Sequence, residues 1–271
     1  LRLGALVYLG LLLVLPVGMV FYRMFENGLA AVWEAMTSPA FVHALQVTLI
    51  VVAIAVPANT IFGVACALAI VRGASTRGNW LLGSVIGLPL ALSPVVVGLA
   101  LILVYGRSGW VGGWFLDQGV RIIFALPGMV LATIFVSLPF VVREVVPVLR
   151  EIGTDQEEAA WTLGASRWTG FWRVTLPAIR WGVAYGVVLT TARALGEYGA
   201  VAVVSGRIAG ATETLTLHID ERFLAFDQTA VYTTAVVLAV LAVLTLVAMN
   251  VLGRKELPDG DRRSPGDEAV R

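Results

Sequence analysis

Residues 154–177, TDQEEAAWTLGASRWTGFWRVTLP, are the longest polar and charged interval in a chain that is otherwise mostly membrane-grade apolar sequence. The interval reads as two short helices joined at a glycine. Thr154 is a good N-cap, and Glu157 three residues later completes a capping box. Ala159, Ala160 and Leu163 carry the first helix forward, and Gly164 supplies the left-handed residue that ends it. Ser166 caps a second helix presenting Trp168, Phe171 and Trp172, and Pro177 closes the element and opens the next apolar span. A solvated loop is the ordinary reading of such an interval. Four large aromatics and two caps within it favour a partner surface instead.

The sequence on either side sets the class. Of 271 residues, 58% are hydrophobic and 14% charged, against about a quarter charged in ordinary soluble domains. Apolar runs of about 20 residues match a hydrocarbon core of about 30 Å. Six candidate spans follow: Leu3–Tyr22, Phe41–Val71, Trp80–Tyr105, Ile122–Leu149, Ala178–Val204 and Thr229–Leu252. The expected architecture is therefore an all-α integral membrane domain of six transmembrane helices over residues 1–252. A polar tail, 253–271, is expected to be disordered. The first run is too long for a signal-peptide core and reads as a retained span. Residues 27–39 place Leu29, Val32, Trp33 and Met36 at helical spacing, which suggests a short helix lying along the membrane interface.

Six spans put both termini on one side. With them fall Arg2, Arg72, Arg77, Arg150, Arg167, Arg173, Arg254, Lys255, Arg262, Arg263 and Arg271, eleven cations, against Arg23, Arg107, Arg121, Arg207 and Arg222, five, on the other. That bias makes the side of the 154–177 knob cytoplasmic. Several prolines inside spans, among them Pro57, Pro89, Pro94, Pro139 and Pro147, favour a multi-helix bundle with a wet or movable interior. Gly83/Gly87 and Gly182/Gly186 have the spacing that lets helices approach closely.

Catalytic candidates are few. The only lysine, Lys255, follows Arg254 rather than glycine, so no phosphate-cradling P-loop is present, and an ATP-driven process needs its ATPase on another polypeptide. His43 and His218 have no neighbouring ligand pattern and read as polar surface or interfacial residues. Cys66 reads as a buried, inert thiol. No basic stripe suggests nucleic acid. The informative charges are Arg193 and Glu197 in the fifth span, beside Tyr198. A charge at mid-membrane costs about 2.5–3.5 kcal/mol on insertion scales, so it faces the bundle interior, a partner or water. Four residues apart, the two share a helix face and can pair, holding the bundle together, while Arg193 can also lend positive potential to an anion path. Thr190, Thr191, Ser93, Thr133 and Ser137 are hydroxyls expected to bond mainly to their own helices.

Glu158-Ala159-Ala160, Gly164 after three residues, then Val174, Leu176 and Pro177 resemble the EAA signature of ABC importer permeases, with Val174 in the isoleucine place. Residues 142–166, 171–182, 193–206 (RALGEYGAVAVVSG) and 212–223 (TETLTLHIDERF), with 92–106, are similar to the CysW-type branch of the sulfate/thiosulfate importers. The resemblance implies a type I importer permease whose 154–177 segment is a cytoplasmic coupling helix. It implies that Glu157, Glu158, Ala159, Ala160, Leu163, Gly164 and Ala165 meet the ATPase, and that Arg193, Glu197 and Tyr198 are candidates for the translocation path. Its implied partners are a second permease of the CysT/CysU type, two CysA-type ATPases that bind the ATP and Mg, and an external sulfate-binding protein, in a bacterial cytoplasmic membrane. The RALGEYGA string is shared with molybdate permeases, so a molybdate or tungstate importer is the alternative. A membrane-embedded enzyme lacks its nucleophile and base, and a non-transporting scaffold would not stimulate a partner ATPase.

Overall fold

The computed structural model describes residues 7–8, 10–73 and 76–254. Most of the polar tail, from 255 onward, and the cations Arg2, Lys255, Arg262, Arg263 and Arg271 lie outside the described residues. Among the described residues all regular structure is helical. A π-turn at Gly10–Val14 leads into α1 (Leu15–Phe25), followed by α2 (Gly28–Thr37), α3 (Pro39–Arg72), α4 (Thr76–Ala91), α5 (Pro94–Tyr105), α6 (Gly112–Asp117) and α7 (Leu126–Ile152). Then come α8 (Asp155–Thr162), α9 (Arg167–Gly170), a π-turn at Phe171–Thr175, α10 (Leu176–Leu195), α11 (Gly199–Val204), α12 (Leu215–Leu224) and α13 (Gln228–Arg254).

By length and apolar character, Pro39–Arg72, Leu126–Ile152 and Gln228–Ala248 can cross a membrane, and two bent pairs raise the total to five among the described residues. Six spans were expected; the described helices give three to five by length and apolar character, two of them bent. The third expected span bends by 111° between α4 and α5, at Leu92-Ser93, where Ser93 is extended (ψ 136°) ahead of Pro94. A residue before proline is biased away from helical geometry, which favours a break there. The fifth, 178–204, divides into α10 and α11 at residues 196–198. The expected helix at 27–39 is present as α2, turned 92° from the preceding helical run.

The core is a three-helix contact of α3, α7 and α10. Helix α7 runs parallel to α3 and antiparallel to α10, and Val141 lies between them. A Cβ at Gly63 would stand 2.6 Å from the Val141 Cβ, and one at Gly186 would stand 2.9 Å from the Val141 Cα. A Cβ at Gly182 would stand 3.0 Å from the Glu144 carbonyl oxygen. The Gly182/Gly186 pair therefore packs as expected. An added Cβ at Gly83 or Gly87 would meet nothing within 4 Å, so among the described residues they seat no helix. Deep in the α3–α7 contact, fully buried Asn59 donates to Ser137 Oγ (2.8 Å), and Ser137 donates to the Thr133 carbonyl.

Two apolar clusters fill the ends of the bundle. Val47, Val51, Met129, Val136 and Val204 lie toward one end, and Val64, Val142, Val145, Leu149 and Ile179 toward the other. The second end is where α3 and α7 finish and α10 begins, and it carries the 154–177 knob. Gly186→Leu is expected to overpack this contact by about 1–3 kcal/mol. The measurement is a thermal ramp on the purified protein in detergent, where the variant should unfold earlier than wild type.

Candidate functional site: a clamped knob and an arginine cluster at opposite ends

The knob forms as two helices about Gly164, whose φ of 84° is the left-handed geometry expected of it. Ala165 N–H donates to the Ala160 carbonyl and Gly164 N–H to the Trp161 carbonyl, closing the first helix. Ser166 Oγ accepts from Thr169 N–H (3.2 Å), so the second cap is present as expected. The first is not. Thr154 makes no side-chain cap, and Glu157 turns away from the helix start.

Glu157 is buried in the seam between the knob and the bundle. Its Oε1 accepts from Thr175 Oγ1 (2.8 Å) and from Arg72 Nη2 (3.2 Å), and its Oε2 pairs with Arg72 Nε at 3.1 Å. Arg72 also donates to the Gly153 carbonyl. The carboxylate thus joins α8 to the last residue of α3 and to the π-turn before α10, and Arg72 extends the clamp to the α7–α8 turn. Glu157 was expected to meet the ATPase; in the structure it is buried beneath the exposed Glu158–Gly164 face. The pattern that reads as a capping box reads equally as an inward ion pair, and the ion pair wins because Arg72 would otherwise be buried at the seam without a counter-charge.

Pro177 does not close the second helix. The chain stays helical from Arg167 through the π-turn at Phe171–Thr175 into α10, with Pro177 in the first turn of α10. The wider π-turn lies where the missing amide and the proline ring would otherwise disturb a regular ladder. The second half of the knob is therefore the first part of a core helix.

What the knob shows to solvent is its Glu158–Gly164 face. Leu163 is 89% exposed and Trp161 46%, Glu158, Ala159 and Gly164 are exposed, and Ala160 and Ala165 are half-buried. Beside them Trp168 is 70% exposed and stacks edge-on with Trp172, the ring centres 5.5 Å apart. Exposed aliphatic and aromatic side chains on a rigid base are the makings of a docking face.

At the far end of α10, about 30 Å away by helix rise, Arg193 Nη1 pairs with Glu197 Oε2 at 2.6 Å. The Glu197 side chain is buried, and its other oxygen accepts the Ala200 N–H (2.9 Å), capping α11 across the break. Thr216 Oγ1 donates to the Glu197 carbonyl (2.8 Å), which ties α12 to the same place. Tyr198 is partly exposed, and its hydroxyl accepts from Arg207. The three residues expected together are thus together, with Arg193 half-exposed. Arg72, Thr175 and Arg207 went unsigned in the sequence, because their partners lie from 9 to 85 residues away and no spacing links them.

The reading of His218 needs correction. It is 1% exposed, its Nδ1 2.8 Å from Glu213 Oε1, and neither surface nor interfacial. Burial raises the Glu213 carboxyl, but its bond to His218 more than offsets that and holds it below the ordinary range. Burial and the neighbouring Glu213 push Glu221 above it. Cys66 is half-buried rather than fully so. Thr133, Ser137 and Thr191 bond back to their own helices as expected, whereas buried Thr190 Oγ1 has no partner among the described residues.

Residues 59–257 match the family described as binding-protein-dependent transport system inner membrane component. The chain is 51% identical to the sulfate transport system permease protein CysW of Synechocystis sp., over 93% of this chain and 91% of that protein. It is 37% identical to the sulfate transport system permease protein CysT of Escherichia coli K12, over 92% and 89% of the two chains. Its fold superposes with a TM-score of 0.78, at 19% identity and 94% coverage of both chains, on a bacterial ABC transporter involved in the import of the acidic polysaccharide alginate.

Glu157→Ala would leave Arg72 uncompensated in a largely buried seam, at a cost of about 3 kcal/mol. Hydrogen exchange across residues 155–175 checks this. Exchange should accelerate in Glu157→Ala and Arg72→Ala alike, and the double variant should be no worse than either single one.

Proposed function

The chain belongs to the family of binding-protein-dependent transport system inner membrane components, and on that footing we propose that it is half of the pore of an ATP-driven importer of sulfate and thiosulfate. The observation that carries the proposal is the knob. It is bare on one face, where Trp161 and Leu163 stand exposed beside Glu158, and on the other it is bolted to α3 and continuous with α10. Such an element receives force at its surface and hands it to the bundle as a rigid body. The sulfate assignment draws its support from the relatives named as sulfate permeases and from the arginines at the far end.

In this reading the Glu158–Ala165 face seats in an ATPase subunit, and Glu157 acts from beneath by fixing the angle of that face. ATP and Mg are held by two ATPase subunits, and a second permease of the CysT/CysU type completes the pore. ATP-driven closure of the ATPases turns the pore outward, toward an external sulfate-binding protein. The knob end is cytoplasmic, as the excess of basic residues there favours, and the setting is a bacterial cytoplasmic membrane. A dianion needs donors and positive potential from the pore, and no general base.

Gly164→Val places a β-branched residue at φ 84°, and Glu158→Lys reverses a charge on the docking face. Both variants are expected to insert in the membrane yet lose ATPase co-purification and sulfate uptake. Wild-type uptake in either would refute the coupling role. A deletion strain should fail to grow on limiting sulfate while keeping molybdenum-enzyme activity; the reverse pattern would assign the chain to molybdate.

A further inference from the structure

A second arginine completes an arrangement around the break between α10 and α11. Arg207 has a left-handed φ of 52°, unusual for a side chain of its size, directly after Gly206 at φ 78°. The turn is enforced from three sides. Arg207 N–H donates to Ser205 Oγ (3.1 Å), Phe124 N–H donates to the Val204 carbonyl (2.8 Å), and a Cβ on Gly206 would stand 3.2 Å from the Phe124 Cβ. A backbone strained and over-determined in this way aims its side chain.

The Arg207 guanidinium is aimed at the surface of the break. Nη1 donates to Asp220 Oδ2 (2.8 Å) and Nη2 to the Tyr198 hydroxyl (3.2 Å), with the Tyr198 ring centre 5.9 Å from Cζ. Its side chain is 48% exposed, and two of its five N–H donors meet these partners. Tyr198, Thr216 and Asp220, with Ile219 and Phe223, line an adjoining shallow depression open at the surface. Glu197 and Tyr198, consecutive in the chain, thus each hold one arginine, Arg193 and Arg207 respectively.

We infer that Arg207, tempered by Asp220, is an anion-receiving site at the outer mouth of the pore, passing a tetrahedral oxyanion toward Arg193. The site rests on the importer reading above and adds residues to it. Transit requires binding strong enough to admit the ion and weak enough to release it. A bare arginine would hold a dianion, whereas one already paired with a carboxylate offers hydrogen bonds with little net charge. Asp220 is therefore the release element, and Arg207 and Asp220 act in opposite directions on affinity.

The test uses the assembled complex with both permeases and its ATPase subunits, in nanodiscs, vanadate-trapped and without a binding protein. Radiolabelled sulfate is titrated by scintillation proximity. Wild type should bind weakly and saturably. Arg207→Gln should bind at least tenfold more weakly, Arg207→Lys less than tenfold more weakly, and Asp220→Asn at least threefold more tightly, with slowed release. If Arg207→Gln binds like wild type, if Asp220→Asn weakens binding as Arg207→Gln does, or if wild type shows no saturable binding, the site is overturned. Loss of binding-protein docking in Arg207→Gln, with sulfate affinity unchanged, overturns it equally. Uptake into proteoliposomes with the loaded binding protein separates the two levels. A wild-type complex that imports no sulfate removes the importer reading and this site with it, whereas normal import with an unaffected Arg207→Gln removes only the site.

Discussion

The structure depends on a carboxylate and a guanidinium sharing a seam that water barely reaches. Arg72 ends the longest apolar helix, and Glu157 lies one turn into a short helix that has no core of its own. Eight residues cannot sustain a helix in isolation. Here they are held by an ion pair, the Thr175 hydroxyl and the Gly153 carbonyl. Desolvating two charges is costly unless the remaining lone pairs and protons are satisfied, so such a pair contributes more to geometry than to net stability. The geometry it sets is the tilt of the Glu158–Gly164 face relative to α3. The unbroken helical path from Arg167 into α10 gives the knob a second, covalent connection to the core.

The opposite end follows the converse logic. There the helices are interrupted, between α4 and α5 and between α10 and α11, and each interruption frees backbone groups that lipid cannot satisfy. The chain resolves the second break internally. Glu197 accepts the Ala200 N–H, Thr216 donates to the Glu197 carbonyl, and Gly98 and Gly199 let α5 lie against α11, where added Cβ atoms would stand 2.8 Å from Val203 and 3.0 Å from Pro94. Irregular backbone with ionised side chains at such a place belongs beside a cavity or a protein partner rather than against lipid. A rigid, clamped end at the knob and a polar, broken end opposite it suit a half-pore driven from one side.

Much of this was legible in the sequence wherever the signal was local. Gly164 and Ser166 signalled the two-helix knob, and Arg193 and Glu197 four residues apart foretold their pairing, whereas the break at Ser93-Pro94 fell inside what read as one span. Contacts between distant residues were not legible. Glu157 carried the spacing of a capping box, and only the arrival of Arg72, 85 residues away, turned it inward. Pro177 looked like a boundary because a π-turn that absorbs proline has no sequence mark of its own. Gly83/Gly87 and Gly182/Gly186 were indistinguishable as strings, yet among the described residues only the second pair meets a neighbouring helix. His218 looked solitary because a carboxylate five residues away, just outside its own helix, is not a helical-spacing pair.

The central claim is that the knob and the core helices move as one body. Pulsed electron–electron resonance between spin labels at Leu163, on the knob, and Arg150, at the end of α7, measures this directly in the assembled complex. The account predicts one narrow distance distribution, unchanged between nucleotide-free, ATP-bound and vanadate-trapped states. A distribution that shifts or broadens with nucleotide would show the knob swinging independently of the bundle, and would contradict it.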